Sequence, residues 1–211
     1  MKIMDIEITK MFQEKNKDIF KNSLELEMER NLESLKKTTD NCTMLEINKI
    51  LNFLKSFFEE HKIIYNENEL KKIVDTEKEF LNEIVNSRID IKMKNLKTFF
   101  QTKKTDFVIK EDYLSEYHEE LSKNTNEIIE EIEIELKKEI CIEFTPKLLK
   151  KYKLNTQDQQ ERITSRIDML FSDTLIRRVK EQISFRDKSL ENMSRESFEK
   201  YRKLNERTIE K

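Results

Sequence analysis

A chain of 211 residues with two histidines and two cysteines has few parts from which to build an active centre. His61 follows Glu59 and Glu60, and His118 sits among Glu116, Glu119 and Glu120. Each imidazole therefore has carboxylates close enough in sequence for metal ligation or proton transfer. The spacing does not complete a known device. His118-Glu119-Glu120-Leu121-Ser122 has the acid of a zinc-protease helix without its second histidine. Phe58 and Ser115 stand three residues before the histidines, where a di-iron bundle requires glutamate. Cys42 and Cys141 match no metal or redox spacing and read as free, buried or half-buried thiols. Surface histidines with acidic neighbours, no metal and no cofactor are expected.

The chain contains no glycine. Phosphate-cradling loops and dinucleotide-binding turns need bare backbone at the ligand, and the G-x-S-x-G elbow needs it beside the nucleophile. These exclusions lead to the expectation that the protein is not an enzyme.

Charge is the remaining material, with 40% of residues charged and a net charge of −2. The run Glu127, Glu130, Glu131, Glu133, Glu135, Glu139 and Glu143 spreads round a helix and reads as a solvated face or as the complement of a basic helix. Lys147, Lys150, Lys151 and Lys153 with Tyr152 form a short basic segment able to touch phosphate or an anionic surface. Eight of the ten arginines fall between Thr156 and Lys211. On a helical wheel Arg162, Arg166, Arg177, Lys180, Arg195 and Arg202 occupy a sector of about 60°. With Arg178 they are the candidate partner-binding residues, because guanidinium forks suit phosphate and carboxylate. The competing reading is a laced surface helix, since Asp158 to Arg162, Asp173 to Arg177, Glu191 to Arg195 and Glu199 to Lys203 are spaced i,i+4.

The elements that must hold these residues are all helical. Absence of glycine removes the positive-φ positions of tight hairpins, and apolar residues recur every three or four positions. Alanine is missing as well, although it is the best helix former, which points to AT-rich coding bias and not to folding. Long helices are expected over about 5–37, 43–62, 67–102, 110–143 and 157–208, with a short helix over 146–153. Starts are marked at Thr43-Met44-Leu45-Glu46, at Asn66 with Glu69, at Thr145-Pro146, and at Thr156 with Gln159. Thr38 to Asn41 reads as a turn, and Phe107-Val108-Ile109 as a short extended or packing segment. In the last helix Ile163, Ile167, Leu170 and Phe171 share one side, while Ile176, Val179, Ile183 and Leu190 lie about 140° round. A bend or break near Ser172-Asp173-Thr174, or two halves packed on different neighbours, is expected.

The reading is a single all-α domain over 1–211, an elongated bundle of four or five long amphipathic helices with coiled-coil-like packing plus one short helix. More than about 75% helix and essentially no strand are expected. No apolar run approaches 18 residues and acids interrupt the N-terminal segment, so a cytoplasmic protein without signal peptide or transmembrane span is expected. The function expected is a non-enzymatic protein–protein interaction module: an adaptor, scaffold or inhibitor. The alternatives are an accessory nucleic-acid-binding protein using the arginine-rich helix, and a peripheral membrane or stalk-like element. The wide apolar face from Leu70 to Phe100 adds a second copy of the chain to the expected partners.

Overall fold

A computed structural model describes residues 2–102 and 111–209. It is 94% helical, with no strand among the described residues, and is an all-α bundle. The segment around Phe107-Val108-Ile109 lies outside the described residues. In order the elements are α1 (Lys2–Glu60), α2 (Glu67–Thr102), α3 (Glu111–Lys137), a π-helical segment π1 (Lys138–Phe144), α4 (Thr145–Lys151), α5 (Gln157–Asp168), a second π-helical segment π2 (Met169–Ile176) and α6 (Arg177–Ile209). The elements from α3 to α4 follow one another without a gap, as do those from α5 to α6, so four long helical runs carry the chain.

Two expected starts are borne out by their caps. Asn66 Oδ1 accepts from the backbone N–H of Glu69 at 3.1 Å, and Thr156 Oγ1 accepts from that of Gln159 at 3.4 Å. The expected turn at Thr38 to Asn41 is replaced by unbroken helix. The expected start at Thr43 is likewise mid-helix, and Thr39 Oγ1 donates to Leu35 O at 3.1 Å and Thr43 Oγ1 to Thr39 O at 3.0 Å. Back-bonding to the preceding turn leaves the helical ladder intact.

The expected separate helix after Pro146 is likewise continuous with α3. Phe144 and Thr145 keep right-handed helical backbone, and π1 directly precedes the proline. Proline lacks an N–H and crowds the carbonyl four residues back, and a locally widened turn is one way to accommodate it.

No break occurs at Ser172 to Thr174; π2 spans them. A π turn closes i→i+5, so each residue advances by less than 100° and the lag accumulates over eight residues. This explains the rotated wheel. Ile163, Ile167, Leu170, Phe171, Leu175, Ile176, Val179 and Ile183 are all buried, as one continuous face.

Two sharp turns among the described residues form without glycine. Lys62 (φ 54°) and Lys153 (φ 51°) take left-handed backbone immediately after a helix. Each sits in a Schellman arrangement, with Ile63 N donating to Phe58 O at 2.8 Å and Leu154 N to Leu149 O at 3.0 Å.

The chain divides into two compact units. Unit 1 comprises Met1–Ser34, Ile91–Thr125 and Ser184–Lys211. Its core includes Phe20, Leu24, Met28, Leu96, Leu121 and Leu190, with the Phe20 and Phe198 rings 6.4 Å apart edge to face. Unit 2 comprises Leu35–Asp90 and Asn126–Ile183. Its core includes Ile50, Leu54, Val74, Leu81, Ile132 and Ile167. Burying each such side chain contributes about 1.5–3 kcal/mol. Within unit 2, α1 runs antiparallel to α2, as the Asn86–Asp40 hydrogen bond (3.0 Å) and the Lys55–Glu67 ion pair show. The α2 helix in turn runs antiparallel to the α3–π1–α4 run, tied by Arg88 to Glu131 (2.9 Å) and Glu135 and by Lys151 to Glu69.

Leu70, Val74, Leu81, Val85, Ile89 and Leu96 of α2 are buried within the chain itself. Phe80 and Ile91 on the same helix remain exposed.

Candidate functional site

The seven basic residues marked by the sequence are divided between the two units. Arg162, Arg166, Arg177, Arg178 and Lys180 belong to unit 2, and Arg195 and Arg202 to unit 1. Arg162 pairs with Glu60 (3.3 Å), donates to His61 Nε2 (2.9 Å) and lies 5.3 Å over the Phe57 ring. Arg166 stacks 5.9 Å from the Phe53 centroid. Arg177 pairs with Glu181 at 2.9 Å and donates from Nε to Asp173 O at 3.2 Å. Its neighbour Arg178 turns inward to Glu46 at 3.0 Å. Lys180 pairs with Glu133, whose carboxyl is held down to about 2, first by Lys137 and then by Lys180. Arg202 pairs with Glu199 (3.1 Å) and Glu206 (3.6 Å). Arg195 is exposed and lowers the basicity of nearby His118, an effect secondary to burial.

The histidines and cysteines have the following surroundings. His118 Nε2 lies 2.8 Å from Ser194 Oγ, which donates to Glu191 O at 2.7 Å, so the imidazole is the donor of that pair. Ser194 is fully buried. No group of three or more metal-ligating side chains occurs among the described residues. Cys42 is half-buried, while Cys141 is exposed, correcting its expected burial. Both thiols are pushed up, Cys42 by its burial and Cys141 by partial desolvation with the Asp168 carboxylate beside it, which is the opposite of nucleophile activation.

The interior shows charges that the periodicity passes over. Every three or four residues α2 buries a side chain: Leu70, Val74, Glu77, Leu81, Val85, Ile89, Lys92 and Leu96. Two of these eight are charged. In unit 1, Lys92 Nζ meets Asp187 Oδ1 and Oδ2 at 2.7 and 2.9 Å and also bonds Thr125 Oγ1. In unit 2, the fully buried Glu46 takes Arg178 at 3.0 Å and Lys49 at 2.9 Å. Glu77 has no such counterpart. It is 6% exposed, and its Oε1 has no hydrogen-bond partner among the described residues.

Glu77 lines a groove of about 860 Å³ in unit 2. One wall runs along α2 from Glu69 to Ile84, and the other from Glu135 through π1 to Lys151 on α4. The fifteen helical steps from Glu69 to Ile84 give it a length of about 22 Å. Ile73, Phe80, Ile84, Phe144 and Leu148 supply its apolar surface, and Phe80 is 51% exposed. Near the groove's ends, ion pairs close the charges: Glu69 with Lys151 and Glu135 with Arg88. Burial pushes the Glu77 carboxyl up to about 8, the Glu139 carboxylate adds to the rise, and Lys147 opposes it. At neutral pH Glu77 therefore carries its proton. Periodicity alone does not mark this site, although a charge at a core position of α2 is its trace in the sequence.

No protein family model, curated protein or solved structure matches the chain. No helix among the described residues is long and apolar enough to cross a membrane.

Proposed function

We propose that the protein is a non-enzymatic helical interaction module, an adaptor, scaffold or inhibitor, that receives a partner's helix in the groove between α2 and the α3–π1–α4 run. The observation that carries this reading is the groove itself: about 22 Å long, open, lined by apolar side chains among charged ones, and holding at Glu77 a carboxyl oxygen with no hydrogen-bond partner among the described residues. An amphipathic helix laid in an apolar groove is a recurrent recognition mode. Phe80, half exposed on the wall, is the side chain such a partner would cover. Cysteines pushed away from ionisation and a histidine hydrogen-bonded to a fully buried serine give further support to a non-enzymatic role.

The nucleic-acid reading has less support, because Arg162, Arg177, Arg178, Lys180 and Arg202 already engage carboxylates of their own chain. A photo-crosslinking residue at Phe80, with another at exposed Phe185 as control, tests the proposal in lysate of the native host. A protein captured from position 80 and not from 185, in high salt and after nuclease, is the expected result. No capture, or capture that nuclease abolishes, overturns it.

A further inference from the structure

We infer that the partner helix brings an arginine or lysine side chain, set within its apolar face, onto the carboxyl of Glu77. This rests on the groove being the docking site. Charge complementarity within the groove points to this. Buried Glu46 has Arg178 and Lys49, and buried Lys92 has Asp187, yet Glu77 has no cation of its own chain upon it. Glu77 stays neutral at pH 7 only because its carboxylate has no counter-ion, and a ligand cation would supply one, favouring the ionised form on binding.

The groups facing Glu77 leave this vacancy specific. On π1, Glu139 presents a second carboxylate from across the groove. Lys147 on α4, which acts against both, is itself bound to Glu143 at 3.0 Å. Lys151 is held by Glu69, and Glu135 by Arg88. Lys72 and Lys138 line the groove from exposed positions, where long solvated stems suit an acidic residue on the partner's polar flank. The complementary ligand is thus a helix of about four turns with one cation amid its apolar residues and acids beside them.

Binding of a fixed cation displaces the proton from Glu77, so association and proton release are linked. The test uses the full chain and a fluorescent amidated helix of about 15 residues, composed of leucine and glutamine with one arginine on its apolar face. A version with citrulline in place of arginine is the neutral control. At pH 8 the arginine peptide is expected to bind at least about tenfold more tightly than the citrulline peptide, and this preference should shrink towards pH 6. Calorimetry in buffers of different ionisation heat should show close to one proton released at pH 7. Glu77→Gln, checked for folding by circular dichroism, should bind both peptides alike. Glu139→Gln should show a reduced preference.

Equal affinity of the wild-type chain for the two peptides, with both lost in Phe80→Asp, overturns the cation and leaves the groove standing. Binding of neither peptide also overturns this inference. The parent reading is judged separately by crosslinking at position 80, so the two failures are distinguishable.

Discussion

Arg178 reaches the carboxylate of Glu46 at 3.0 Å, joining the last helical run to a residue of α1 that is wholly buried. Its neighbour Arg177 points the other way, 62% exposed and paired within one turn to Glu181. Two adjacent arginines of identical sequence promise thus have different energetic roles. Arg178→Gln strands a buried charge, only partly rescued by Lys49, and should cost about 2 kcal/mol. Arg177→Gln removes a surface i,i+4 pair and should cost less than about 0.5 kcal/mol. Urea unfolding of the two variants checks the contrast, and equal costs would refute it.

In unit 1 the Lys92–Asp187 pair makes a sharper case, because Lys92 is 1% exposed. Lys92→Met alone should destabilise by about 3–5 kcal/mol, since it leaves the aspartate buried and unpaired. Adding Asp187→Leu should recover most of that loss. A double-mutant cycle measures the coupling, and additive losses would refute the pairing.

Glu77 predicts a pH dependence of unusual sign. Its carboxyl titrates near about 8 in the folded chain, against about 4.3 for an unfolded glutamate. Between those values the folded state holds a proton that the unfolded state has released, so stability falls as pH rises and levels off above 8. Glu77→Gln lacks this slope. It should be more stable than wild type by about 3 kcal/mol at pH 7, with no difference near pH 4. Denaturation at the two pH values checks this, and parallel curves would count against it.

Lys62 and Lys153 occupy left-handed backbone that glycine adopts without penalty. Lys62→Gly and Lys153→Gly should each stabilise by about 1 kcal/mol, since the strain of a β-carbon there disappears. Thermal midpoints that fall instead would show that the lysine side chains hold the turns.

The helical class, the caps at Asn66 and Thr156 and most of the apolar faces were legible from spacing, because each is a local pattern. The expected turn at Thr38 to Asn41 failed because the preference of threonine for caps is conditional: with an apolar face on both sides, Thr39 and Thr43 bond back into the helix. Acid-to-base pairing by sequence also misled. Arg162 turned to Glu60, more than a hundred residues away in the chain, and Arg202 took Glu199 and Glu206. The groove is a tertiary object, so its only local signs were a charge at a core position of α2 and a proline beyond π1.

The two π segments also bear on how this chain can change in length. One residue inserted into an α-helix would ordinarily swing everything after it by about 100° and turn its core outward. A π turn takes up such a residue locally, and downstream side chains keep their neighbours. Positions 138–144 and 169–176 are therefore places where a codon can be lost with little disturbance to the rest of the gene product. A chain lacking Ser172 would close π2 into ordinary α-helix and still present Val179 and Ile183 to the same core.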